Sequence, residues 1–381
     1  MRNKVTQMNL LIASVLLLAG AVPTAYAQST HISVKDDNNE WVMNRSEKDK
    51  GREFHIRIKG KVEFTDDYSD IQTMAPGASI RIEEKRQSIT RRLEIEADAS
   101  GHQRRSYFVQ GAAHDFDHEA KQWLTALLLE TVRQSGYDAP RRVARLFERG
   151  GANAVLQEVS LMDSDYTKRV YLRELMTNHQ LDAASAQRVV QIVAREMSSA
   201  YEKRQALSLV AEKYLDDKQT RSAFIAAMAT IDSDYERGQT LAAVMKRGSL
   251  TPEQLKDVLQ VVAKISSDYE KAQALLRITK SYAAEVAALP AFFDAINSIS
   301  SAYEHSRVLL SLLSAKLSGE ALKLTLASAT RISSDYEKAR VLIQVAALTK
   351  DDENLRRALV EAAKTISSDY ERGRVLSATF K

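Results

Sequence analysis

The 381-residue chain contains no cysteine. That excludes thiol nucleophiles, cysteine-ligated zinc and iron–sulfur centres. It also means that the fold must rest on its apolar core rather than on disulfides. Glycine occurs 13 times and proline 5 times, well under the average usage of about 7% and about 5%. A chain so poor in turn formers and helix breakers is mostly helical. Aromatic residues make up only 7%. Charge of one sign is missing too: 54 Lys and Arg face 50 Asp and Glu, a net +4 that becomes +2 without Arg2 and Lys4. This balance gives no footprint for nucleic acid. After the first 27 residues no apolar run approaches the roughly 20 residues that span a bilayer, so no transmembrane segment is expected in the mature chain.

At the N-terminus, Arg2 and Lys4 precede an apolar run from Leu10 to Ala21, followed by Ala25-Tyr26-Ala27. These are the three parts of a secretory signal peptide, which predicts cleavage before Gln28 and a periplasmic or secreted protein. No cysteine stands near the cut, so no lipoprotein anchor is expected.

A motif close to Ile-Ser-Ser-Asp-Tyr-Glu-Lys recurs seven times, with tyrosines at Tyr166, Tyr201, Tyr235, Tyr269, Tyr303, Tyr336 and Tyr370. Their spacings are 35, 34, 34, 34, 33 and 34 residues, and a leucine follows each tyrosine by six residues (Leu172 to Leu376). A degenerate copy, Ser135-Gly136-Tyr137-Asp138, precedes them. Fixed periods of this length mark stacked repeats. The motif reads as a helix start: Ser-x-x-Glu, as in Ser267 and Glu270, is a capping-box pattern present in six copies. The Asp, as in Asp268, suits the positive end of the helix dipole. Small residues three after the tyrosine (Gly238, Ala272, Ser306, Ala339, Gly373) would let a neighbouring helix approach, whereas Arg169 and Arg204 require different packing in the first two copies.

Between motifs a second helix is predicted. Thr251-Pro252-Glu253-Gln254 leads into Leu255, Val258, Leu259, Val262 and Ile265 at helical spacing, and Pro290 leads into Phe292, Phe293, Ile296 and Ile299. Each unit is then helix-turn-helix, and its apolar face needs its neighbours. The expected fold class is mainly α: a solenoid of about seven 34-residue repeats after a small antiparallel β domain. In period alone it resembles tetratricopeptide and HEAT arrays, although the tetratricopeptide residue pattern is missing. The Ser-Ser-Asp-Tyr-Glu-Lys signature resembles that of uncharacterised exported proteins of Gram-negative bacteria, a resemblance over most of residues 53–381 that implies no activity.

Residues 28–52 are polar and charged, and read as a flexible lead-in. From Glu53 the period falls to two, as in Phe54-His55-Ile56-Arg57-Ile58 and Leu93-Glu94-Ile95-Glu96, which predicts four to six antiparallel strands over residues 53–115. The Gly-Lys-Val-Glu-Phe and Gly-Ala-Ser-Ile-Arg-Ile stretches resemble β-rich adhesin domains of exported bacterial proteins. Trp123, Leu124, Leu127, Leu128 and Val132 predict a connecting helix over 116–136, with the repeats filling 137–381.

No phosphate loop, nucleophile elbow or dinucleotide fingerprint occurs, so neither a catalytic residue nor a cofactor is expected. His114 and His118 have the spacing of a helical metal pair, yet Asp115 and Asp117 beside them suit a helix cap and no third ligand is evident. The repeated tyrosines read as packing groups between repeats whose hydroxyls reach the caps. The better candidate for partner binding is the row four residues after each tyrosine: Val170, then Gln205, Gln239, Gln273, Arg307, Arg340 and Arg374, which turns basic and would suit an acidic protein or peptide. The last helix, with Leu376 and Phe380, has no following partner helix in the sequence and is a candidate for dimerisation. Together these features describe a non-enzymatic interaction scaffold. A surface adhesin with a β head, or a hydrolase with its site in the N-terminal domain, are the alternatives.

Overall fold

In the computed structural model, residues 30–37, 39–247, 249–287, 289–315, 317, 319–349 and 352–380 are described. The expected signal peptide and its cleavage site lie outside them. The chain divides into two units, residues 1–64 with 71–120, and residues 65–70 with 121–381.

The first unit follows from period-two patterning. Its strands are β1 (Thr30–Asp37), β2 (Glu40–Glu47), β3 (Arg52–Lys59), β4 (Val62–Phe64), β5 (Ile71–Met74), β6 (Ser79–Arg86), β7 (Ile89–Ala97), β8 (Gln103–Val109) and β9 (Ala112–His114). Seven of them form one antiparallel sheet in the order β1-β2-β3-β6-β7-β8-β9, and β4 pairs with β5 apart from it. Met43, Ile56, Ile82, Leu93 and Tyr107 stand opposite one another across five strands, and Trp41, Ile58, Ile80 and Ile95 make the next row. All nine are buried. The alternate positions form a polar face with ion pairs such as Arg81–Glu94 at 3.3 Å. One face in and one face out is the ordinary arrangement of an antiparallel sheet.

Two expectations are corrected here. Most of the segment read as a flexible lead-in is two strands, because Asp37 pairs with Glu40 across a tight turn with Asn39 at φ 65°. Asparagine tolerates that left-handed geometry. The sheet is therefore wider than the four to six strands expected. The buried face also ends in charge: Arg52 reaches Glu84 and Glu47, and Arg45 and Lys50 also bond Glu47. Burial pushes the Glu47 carboxyl up, but the hydrogen bonds from Arg45, Lys50 and Arg52 outweigh it and hold its pKa at about 2.

The second unit is helical. It begins with α1 (His118–Ser135), of which residues 121–135 belong to it, and α2 (Ala139–Val159), which is two pieces joined at Gly150 and Gly151. Trp123, Leu124, Leu127, Leu128 and Val132 are all buried, as expected of the connecting helix. The repeats then run α3 (Asp165–Asn178), α4 (Ala183–Glu196), α5 (Ala200–Lys213), α6 (Lys218–Met228), α7 (Asp234–Met245) and α8 (Pro252–Ala263). They continue as α9 (Asp268–Val286), α10 (Pro290–Asn297), α11 (Ala302–Leu313), α12 (Gly319–Ala329), α13 (Asp335–Leu348), α14 (Glu353–Ala363) and α15 (Asp369–Thr379). Odd-numbered helices from α3 to α15 contact one another in succession, and even-numbered ones from α2 to α14 do the same. The leucines six after each tyrosine, from Leu172 to Leu342, lie in one continuous apolar core, with Leu376 packed against it. The segment Thr65–Asp70 also belongs to this unit: the Tyr68 hydroxyl donates to Asp138 at 3.0 Å, and the Arg142 guanidinium lies 4.4 Å from the Tyr68 ring centre.

No helix among the described residues is long and apolar enough to cross a membrane.

Candidate functional site

Each odd helix from α3 to α15 begins in the same way. The motif serine caps it, accepting from the backbone N–H three residues on, as Ser267 does from Glu270 at 3.3 Å. The return bond of a capping box is recorded at Thr251 and Gln254 on α8, not at the Ser-x-x-Glu copies. The backbone N–H of Ser199, Ser267, Ser301 and Ser368 goes elsewhere. Asp234 Oδ2 accepts from Ser266 N and Ser267 N at 2.9 Å, and Asp165, Asp268 and Asp335 accept likewise from the serine pair of the following repeat. The aspartate thus joins successive repeats as well as suiting its own helix dipole.

The glutamate is also turned toward the preceding repeat. Arg169 bonds Glu202, Arg204 bonds Glu236, and Ser306 Oγ donates to Glu337 at 2.5 Å. At Gly238 the Glu270 carboxylate comes within 3.3 Å of where a Cβ would stand. Arg169, Arg204, Gly238 and Ser306 therefore occupy one position that receives the next repeat's carboxylate.

Two residues after six of the seven tyrosines stands a buried group that the sequence reading passed over, Lys168, Lys203, Arg237, Lys271, His305 and Lys338, while Arg372 after Tyr370 is half-buried. Most of them reach the end of the even helix that follows. Lys203 Nζ donates to Thr230 O at 2.7 Å, Arg237 to Lys264 O at 3.2 Å and Lys338 to Thr365 O at 3.0 Å. A cation suits the unpaired carbonyls at a helix C-terminus. His305 departs from the pattern, with Nε2 2.9 Å from Ser328 Oγ. Burial, aided by the Arg331 charge, lowers its pKa to about 4.

The aspartate links give a direct prediction. Asp234→Ala lowers stability by about 1–2 kcal/mol, the net value of charge-assisted bonds to partly hydrated N–H groups. Ala302 stands at the aspartate position of its own repeat, so Ala302→Asp raises stability by roughly 0.5–1.5 kcal/mol by supplying the missing acceptor. Urea unfolding followed by circular dichroism measures both. Equal midpoints for all three proteins would show that water replaces the aspartate without loss.

The tyrosines themselves require a correction. All seven are exposed, from 44% for Tyr166 to 74% for Tyr370. Expecting them to pack beside the leucines misjudged the helix: six residues at 3.6 per turn place the leucine about 120° around the axis from the tyrosine. The residue four along, in contrast, shares the tyrosine's face. Accordingly Arg307, Arg340 and Arg374 lie 5.5, 5.9 and 5.9 Å from the ring centres of Tyr303, Tyr336 and Tyr370. Arg169 and Arg204, three along, approach Tyr166 and Tyr201 at 5.2 and 5.4 Å. The row expected to bind is thus present, on α5 to α15, and half-buried: Gln205, Gln239, Gln273, Arg307, Arg340 and Arg374. Val170 on α3 is buried. The arginines are not free positive charge, since they pair with Glu304, Glu337 and Glu371 at 2.6, 2.8 and 2.7 Å.

No family model, curated protein or solved structure matches the chain.

The other candidates are dispersed. His114 closes β9 and His118 opens α1, both exposed, while Asp117 caps α1 by accepting from Ala120 N at 3.0 Å. No group of three or more His, Asp or Glu side chains that could hold a metal ion occurs among the described residues. On the polar face of the sheet the His55 ring bonds Asn44 Oδ1, and burial together with Arg57 lowers its pKa. Phe380 is exposed.

Proposed function

We propose that the protein is an exported, non-enzymatic binding scaffold: an α-solenoid whose tyrosine-bearing face engages a protein or peptide partner. One observation carries this reading, the seven tyrosines held at the starts of successive odd helices with 44–74% of their surface exposed. Tyrosine is a preferred anchor at interfaces because it offers a large rigid surface with a polar tip. Each tyrosine's backbone position is fixed by a serine cap and by a leucine that is buried in six repeats and half-buried in the last, so the row is preorganised. Binding then orders few side chains, which lowers its entropic cost. The neutral Tyr–Arg–Glu groupings favour a partner met through aromatic faces over one met through charge alone.

The test replaces Tyr235, Tyr269 and Tyr303 together by alanine. The full chain and the variant are each used to capture periplasmic proteins, and the partners are identified by mass spectrometry. Partners present on the full chain and lost from the folded variant support the reading; identical partner sets place the binding face elsewhere. Export is checked by intact mass, where retention of Met1 overturns it.

A further inference from the structure

The tyrosine face has a repeat length and a chemistry that a partner must match. Successive odd helices are in direct contact, and packed helices lie roughly 8–10 Å apart. An exposed tyrosine therefore recurs about every 8–10 Å. From α5 onward the residue four along is Gln205, Gln239, Gln273, Arg307, Arg340 or Arg374. What glutamine and arginine share is a side-chain N–H donor, not a charge. The arginines are already neutralised by Glu304, Glu337 and Glu371, and the amides of the three glutamines have no partner among the described residues. The face is thus an aromatic ring beside an N–H donor, six times over, with little net charge. It calls for an occupant that presents an apolar surface and an unpaired carbonyl at the same interval.

A polyproline II helix does so. It has three residues per turn at about 3.1 Å each, so one face recurs every 9 Å or so, and its carbonyls make no internal hydrogen bonds. An extended β-strand repeats a face at roughly 6.8 Å or twice that, and so drifts out of step. An acidic segment, the occupant the sequence alone suggested, would find the arginines paired and half the row uncharged. We propose that the tyrosine face binds a proline-rich segment in the polyproline II conformation, one turn per repeat, with each proline ring on a tyrosine and a backbone carbonyl accepting from the glutamine or arginine four residues on. Aromatic grooves with a nearby donor are a general solution for this ligand. This inference rests on the reading of that face as a partner-binding surface.

The probe is synthetic oligoproline of about twelve residues, roughly four turns, titrated into the full chain by calorimetry. A Gly-Ser peptide of equal length, polyglutamate and an oligosaccharide of N-acetylglucosamine are the controls. Oligoproline binds and the controls do not. Affinity falls about tenfold on removing a central tyrosine in Tyr269→Ala. It is lost in Gln273→Leu and kept in Gln273→Arg, which separates donor from charge. Oligoproline binding no better than the Gly-Ser peptide, or unchanged in Tyr269→Ala, overturns the inference, as does preferential binding of polyglutamate or the oligosaccharide. If oligoproline fails while the triple tyrosine variant still loses its captured partners, the binding face stands and only its ligand class falls. If that variant loses nothing, both fall.

Discussion

Leu275→Ala lowers the stability of the helical unit by about 2–5 kcal/mol, the cost of lost transfer energy plus an unfilled cavity. Tyr269→Ala, only six residues earlier, leaves it within about 0.5 kcal/mol. Leu275 is fully buried and belongs to a core that runs continuously through the repeats, while Tyr269 is 56% exposed. Because each repeat is held by its neighbours, a cavity at Leu275 weakens the contacts of α9 with both α7 and α11. Urea unfolding followed by far-ultraviolet circular dichroism measures the pair. The reverse ranking would mean that the inner and outer faces of α9 have been exchanged. Two side chains repeated with equal fidelity thus have opposite energetic meanings, and the experiment tells packing from display.

His305 makes the helical unit sensitive to mild acid. Its pKa falls from 6.5 to about 4 in the folded protein, so the unfolded chain takes up a proton first as pH drops. The stabilising contribution is complete above about pH 6.5 and is lost as pH falls toward about 4. Its size is roughly 3 kcal/mol, at about 1.4 kcal/mol for each tenfold difference in proton affinity. Thermal unfolding at several pH values should show this loss, and His305→Asn should flatten the curve between those limits. An unchanged slope in the variant would assign the acid sensitivity elsewhere. Glu47 acts in a lower window: its folded pKa of about 2, against 4.5, gives stability that is complete above about pH 4.5 and lost toward pH 2. Its removal therefore alters a different part of the curve.

Helix starts were legible in the sequence because capping is local: Ser267 and Glu270, or Thr251 before Pro252, announce themselves within four residues. The apolar stripe was legible for the same reason. What stayed hidden depends on partners far along the chain. Lys203 looks like a solvated charge until Thr230 O, 27 residues on, is seen to accept from it. Asp234 looks like a dipole residue until Ser266 and Ser267 are placed against it. The strands of residues 30–47 were missed because their pairing is a backbone matter, and a polar outer face resembles a flexible tail when only composition is read. The tyrosine row was recognised but assigned to the wrong side. Regular spacing reveals that a residue matters without saying whether it looks inward or outward; only its angle to the leucine, about 120°, decides.

The hydrogen bond between Tyr68 and Asp138 spans 70 residues of chain, and that distance has a consequence for the order of folding. Tyr68 is 1% exposed, and burial with the neighbouring Asp138 charge raises its pKa to about 12, so it is a donor at any physiological pH. In chain order, Thr65–Asp70 comes well before Asp138, Arg142 and Arg145, which together hold the Tyr68 hydroxyl, the Tyr68 ring and Asp66. The N-terminal strands can pair as they appear, yet this segment must wait for α2. No single cut in the polypeptide separates the two units, and a fragment starting at residue 119 would leave Asp138 and Arg142 without the ring and hydroxyl they enclose. The strands on either side of Thr65–Asp70 are thus complete in the chain before the residues that fix this segment are reached.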